Sequence, residues 1–145
     1  MVPALDVGIY MKAFGFGIWL LVPLCAYAMP ATVDYVYDGD TLAAVAHVAD
    51  GVDVDVRVRL RNIDTPEMHG NCEYETMRAN AARERLISLV PRGTVVELKN
   101  IKDDKYIGRI DANVILPDGR DVGRILIKEK FGRAYNGGKR AGWRE

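Results

Sequence analysis

Cysteine is scarce in this chain of 145 residues, with Cys25 and Cys72 as its only two representatives. Histidine is equally scarce, and His47 and His69 lie far apart with no ligand spacing, so both read as surface or loop residues. A thiolate or imidazole zinc centre needs Cys or His pairs at short intervals, and that chemistry is excluded. Net charge is absent as well, because 20 Lys and Arg balance 20 Asp and Glu. A protein that coats a polyanion carries a broadly basic surface. Here any attraction for phosphate must be local and built from a few arginines. Aromatic residues make up only 8% of the chain, which counts against a surface that works by ring stacking alone. No internal repeat or low-complexity segment is visible. The length fits one domain with a single core that needs no covalent staples.

Residues 1–28 differ from the rest. Lys12 precedes an unbroken apolar stretch from Ala13 to Cys25, which ends at Ala26-Tyr27-Ala28. A base, a short apolar run and an A-x-A site together read as a secretory signal peptide, with cleavage expected after Ala28. The product is then secreted or periplasmic, with no stable membrane association. The run falls short of the roughly 20 apolar residues that span a bilayer. Asp6 suits a basic n-region poorly, so Met11 is the alternative start. A retained anchor or a buried N-terminal helix is the competing reading. Cys25 follows the bulky Leu24, which argues against lipid attachment. Once Cys25 leaves, Cys72 is an odd cysteine, free or paired between molecules.

From Thr32 onward the pattern is β-like. Val33, Tyr35 and Tyr37 alternate, Thr41 to Val48 is rich in small and β-branched residues, and Ala49-Asp50-Gly51 marks a turn. Val52, Val54, Val56, Val58 and Leu60 alternate with charged residues, which predicts a half-buried strand whose valine face is core. Glu73 to Leu89 predicts a helix stopped by Pro91, with Tyr74, Met77, Ala81, Leu86 and Leu89 as its packing stripe. Strands are expected over 93–101 and 108–116, and a second helix over 122–131. The Gly- and Arg-rich tail from Gly132 has little to pack with. The order β-β-β-α-β-β-α matches an α+β domain of mainly β character: a five-stranded OB-fold barrel with two to three helices, expected over residues 29–145.

Three strings carry the candidate chemistry: Asp38-Gly39-Asp40-Thr41, the run Arg59-Leu60-Arg61-Asn62-Ile63-Asp64-Thr65-Pro66-Glu67, and Asp104-Lys105-Tyr106-Ile107-Gly108-Arg109. Asp40 and Asp64 are hard oxygen donors from separate segments. Two carboxylates plus a backbone carbonyl make a thin, open cation site of the kind calcium accepts. Asp-Gly-Asp taken alone is most often a turn. Arginine forks suit the charge that builds on a phosphodiester under attack. Alternation puts Arg57, Arg59 and Arg61 on one strand face and does not choose among them. Glu67, just after Pro66, can orient or deprotonate a water, or simply sit at a helix N-terminus.

In this order and at this spacing, the strings resemble the staphylococcal nuclease-like (thermonuclease) family across about residues 32–135. The resemblance implies an OB-fold nuclease that hydrolyses DNA and RNA with calcium and leaves 3′-phosphate ends. It implies Asp40, Asp64 and the Thr65 carbonyl as metal ligands, and Arg59, Glu67 and Arg109 as the catalytic groups. Asp38 then supports the metal loop. Lys105 and Tyr106 match contacts to a neighbouring phosphate, and Tyr135 an aromatic near the base. Ile107 is an extra residue against the simplest family pattern, able to displace Arg109 unless a bulge absorbs it. Chains of this subgroup often carry a second cysteine near the C-terminus, which Trp143-Arg144-Glu145 does not offer. The expectation is a monomeric calcium-dependent nuclease. The alternative is a non-catalytic OB-fold module that binds single-stranded nucleic acid or a protein partner.

Overall fold

The computed structural model describes residues 27–143, so the expected signal peptide falls almost wholly outside the described residues. Five strands close into a barrel in the order β1 (Met29–Asp38), β2 (Thr41–Ala49), β3 (Val52–Leu60), β6 (Arg109–Ile115), β5 (Val95–Asp103). The β3–β6 pair is parallel and the other barrel pairs are antiparallel. Outside the barrel, β4 (Ile63–Asp64) pairs with β7 (Arg133–Ala134). Helices α1 (Glu73–Leu89) and α2 (Val122–Lys128) complete the α+β fold. This is the expected OB-type barrel, with the helix between the third and fourth barrel strands.

Alternation of apolar and polar residues along the strands sends Val33, Leu42, Val58, Leu98 and Val114 into the barrel. Leu86 from α1, Val90 at its C-terminal cap and Leu126 from α2 pack against them in the same core. Along β3 the valine face is core only in its second half. Val58 and Leu60 are buried, whereas Val52 and Val54 are exposed. The reason is pairing: β6 runs beside β3 only from Arg57 to Leu60, so the first half of β3 has β2 as its single neighbour and projects as a two-stranded ribbon.

Helix α1 starts at its expected residue. The Cys72 Sγ caps it by accepting from the Glu75 N–H at 3.5 Å, and Glu73 and Glu75 face the positive end of the dipole. Its buried face is Ala79, Ala82 and Leu86; of the predicted stripe Leu86 is core and Leu89 packs against it, whereas Met77 and Ala81 are exposed. Close approach explains the change. A Cβ at Gly39 would lie 2.7 Å from the Ala82 Cβ and 3.0 Å from the Thr65 Oγ1, so the helix meets the β1–β2 turn through small atoms only. The second helix ends at Lys128 rather than at Phe131. Lys130 takes a positive φ of 65°, and the Phe131 N–H turns back to the Leu126 carbonyl.

Candidate active site

The β1–β2 turn builds the first wall. The Asp38 Oδ1 accepts the Asp40 N–H at 3.1 Å, and the Leu60 N–H donates to the Asp40 carbonyl at 2.8 Å. These bonds fasten the turn to the end of β3, beside Arg59. Asp40 is buried; its carboxylate accepts from the Thr41 hydroxyl at 3.0 Å and lies 3.6 Å from the Arg59 Nη2. Burial, then repulsion from Asp38, push the Asp40 carboxyl up to about 7 against the pull of Arg59. Asp111 faces Arg59 across the β3–β6 register, and burial together with Asp104 raises its carboxyl as well.

Of the three arginines that alternation left equivalent, the fold separates all. Arg59 reaches Asp40, and Arg57 stacks 4.5 Å over the Tyr37 ring at the cleft edge. Arg61 turns away to the Asn100 carbonyl at 2.6 Å, past the left-handed Asn62.

Strand β4 supplies Asp64, Thr65 follows it directly, both are buried, and Pro66 leads to the exposed Glu67. The third string forms the opposite rim. Ile107 lies in a turn rather than a strand bulge: its side chain is fully exposed, Gly108 takes a φ of 79°, and the Arg109 N–H closes the turn on the Tyr106 carbonyl at 3.2 Å. The extra residue is absorbed there, and Arg109 opens β6 on the cleft. The Arg109 guanidinium bonds to Asp104 and lies 4.4 Å over the Tyr106 ring. Burial raises the Asp104 carboxyl, but the Arg109 bond and the Tyr106 N–H outweigh it and hold it below its ordinary value. Lys105 also lies over Tyr106, at 5.0 Å.

Asp40, Arg59, Thr65, Glu67, Lys105, Tyr106, Arg109 and Tyr135 thus line one open cleft of about 930 Å³, with Asp64 buried beside Thr65. The Tyr135 hydroxyl donates to the Gly138 carbonyl at 2.6 Å, and its N–H to the Asn62 carbonyl at 3.0 Å.

Two further residues had no sequence signal. Arg133 on β7 donates to the Asp64 Oδ2 from Nε at 3.1 Å and from Nη2 at 2.8 Å. Arg140, in the tail, bonds to the Asp64 Oδ1, to the Glu67 Oε1, and to the Thr65 carbonyl at 3.1 Å. The tail expected to have little to pack with is therefore tied to the centre of the site.

The donor chemistry suits a hard cation. Asp40, Asp64 and the Thr65 carbonyl present oxygen only, and a buried carboxyl raised as far as that of Asp40 gains from a nearby positive charge. Among the described residues no three His, Cys, Asp or Glu side chains form a metal-holding group. A cation here would draw on two carboxylates, one carbonyl and water.

Fold and site together define an OB-fold domain of nuclease-like or nucleic-acid-binding class. Residues 57–141, more than half of the chain, match the family described as "Staphylococcal nuclease homologue", and the chain belongs to this family. Over 99 residues it is also 24% identical to "Protein transport protein SSO2" of Candida albicans (strain SC5314 / ATCC MYA-2876), covering 68% of this chain and 34% of that protein. The chain spans about a third of the length of this curated relative.

Proposed function

We propose that the protein is a secreted, calcium-dependent nuclease that hydrolyses phosphodiester bonds of DNA and RNA and leaves 3′-phosphate ends. The observation that carries this reading is the meeting of acids, arginines and Glu67 from three distant strings in one cleft. Asp40, Asp64 and the Thr65 carbonyl would hold the calcium ion, which supplies positive charge to polarise the phosphate when bound. Glu67 orients a water and takes its proton as the oxygen bonds to phosphorus; the P–O5′ bond then breaks and the 5′ oxygen is reprotonated. Arg59 and Arg109 donate to the non-bridging oxygens, where charge grows most in the transition state. Asp104 and Tyr106 hold Arg109 in place for this. Lys105 and Tyr106 would receive the neighbouring phosphate, and Tyr135 the base.

The test is incubation with single-stranded DNA, and separately with RNA, in calcium and then in EGTA, with end-group analysis. Cleavage only in calcium with 3′-phosphate ends is expected; a folded chain that never cuts overturns the reading. The Arg57–Tyr37 stack at the cleft edge favours a second reading, a non-catalytic module for single strands. Salt-sensitive binding indifferent to EGTA, without cleavage, is its signature. The protein acts as a monomer on this proposal, which sedimentation in solution checks. Export with cleavage after Ala28 predicts an exported product whose N-terminus is Met29.

A further inference from the structure

Arg140 makes its bonds to the groups that the calcium reading assigns to the ion and to the base. The guanidinium holds one oxygen of Asp64, the Thr65 carbonyl and the Glu67 carboxylate together. We propose that Arg140 is an internal cation that exchanges with the divalent ion at this acid cluster, so that ion binding releases the tail from Asn136 to Trp143 and frees Glu67. The inference rests on the calcium reading above and adds a gate to it.

Exclusion follows from the donors. A calcium ion takes oxygens at about 2.3–2.6 Å and needs their lone pairs aimed at it. An arginine N–H uses the same lone pairs at about 2.7–2.9 Å. Arg140 occupies the space beside Asp64 Oδ1 and the Thr65 carbonyl that the ion would need, and the two positive charges would repel at that separation. Glu67, bound to Arg140, is meanwhile tied up as an ion-pair partner rather than poised toward a water.

The way Arg140 is delivered makes the exchange possible. Residues 136–142 are exposed and lie outside regular structure, and Gly137 and Gly138 take φ values of 96° and 91°. Beyond Arg140 the segment is held by Arg133, which donates to the Ala141 and Gly142 carbonyls and lies 4.1 Å under the Trp143 ring. Arg78 lies against the other end of this cluster, 5.7 Å from the same ring. Few apolar contacts oppose opening of such a segment.

Division of labour at Asp64 completes the argument. Arg133 holds Oδ2 from β7, which is paired to β4, whereas Arg140 holds Oδ1 from the tail. When Arg140 leaves, the buried carboxylate keeps one fixed counter-charge and frees one oxygen. The site opens without stranding a buried anion.

The experiment uses the full chain with Trp19→Phe, so that Trp143 alone reports by fluorescence. Calcium is titrated with Arg140 intact and, in parallel, in Arg140→Gln, with affinities taken by calorimetry. Arg140→Gln removes the competing cation and is expected to bind calcium more tightly, by about tenfold for each tenfold by which the docked tail outweighs the open one. With Arg140 intact, calcium is expected to shift Trp143 emission to the red; this readout requires no change at the site. Equal calcium affinities with calcium-insensitive Trp143 emission overturn the exchange and leave the calcium reading standing. Absence of calcium binding in both chains overturns both.

Discussion

Replacing Asp40 by Asn tests the electrostatics of the β1–β2 turn directly. The carboxyl is buried, its charge is opposed by Asp38, and it titrates at about 7 instead of its ordinary 3.8. In that window the folded chain holds a proton that the unfolded chain has already lost. Stability therefore falls as pH rises from about 4 to about 7, and levels off above. At about 1.4 kcal/mol per pH unit, the full shift corresponds to at most about 4 kcal/mol. Asn is neutral throughout, keeps an oxygen for the Thr41 hydroxyl and adds no bulk. Urea unfolding in EGTA at pH 5, 6, 7 and 8 is the assay. Asp40→Asn is expected to be about 2–4 kcal/mol more stable than the parent at pH 8, with the gain shrinking steadily towards pH 5. In calcium the same variant should lose nuclease activity, because it loses a carboxylate donor. A variant less stable than the parent at pH 8, or a gain that does not change with pH, would refute the reasoning.

Arg59→Ala or Arg109→Ala should each slow cleavage by at least about 100-fold, the scale of one lost preorganised donor, and near-parental turnover in both would remove them from the mechanism. Gly39→Ala drives a methyl against the Ala82 Cβ at 2.7 Å, so thermal melts should show a loss of about 1–3 kcal/mol; a neutral result would mean that α1 can move away. Val58→Ala should cost about 2 kcal/mol or more in urea unfolding. Val54→Ala, on the projecting ribbon, should stay within about 0.5 kcal/mol of the parent. Equal losses at the two positions would mean that both halves of β3 are core.

The element order was readable because it rests on local periodicity. Strand alternation in 52–60, the helix formers of 73–89 and the stop at Pro91 all survive in the fold. The three chemical strings were readable for a related reason: each is short and continuous, and each lies at or beside a strand end, where backbone polar groups and side chains turn outward together. Periodicity failed where burial depends on a neighbour. Val52 and Val54 obey the same alternation as Val58, but only the stretch beside β6 is enclosed. The face of α1 was set by Gly39 approaching Ala82, a contact between residues more than 40 positions apart.

From its sequence alone this chain determined a barrel of five strands, one helix between the third and fourth, and a set of acids and arginines suited to phosphate. Tertiary structure alone decided which charges share a site. It separated Arg59 from Arg57 and Arg61, absorbed Ile107 in a turn, and brought Arg133 and Arg140 onto Asp64 from 69 and 76 residues away. A repeating pattern records how a residue faces its immediate neighbours. Buried carboxylates attract whichever cations the folded chain brings within reach, and that depends on the path of the whole backbone.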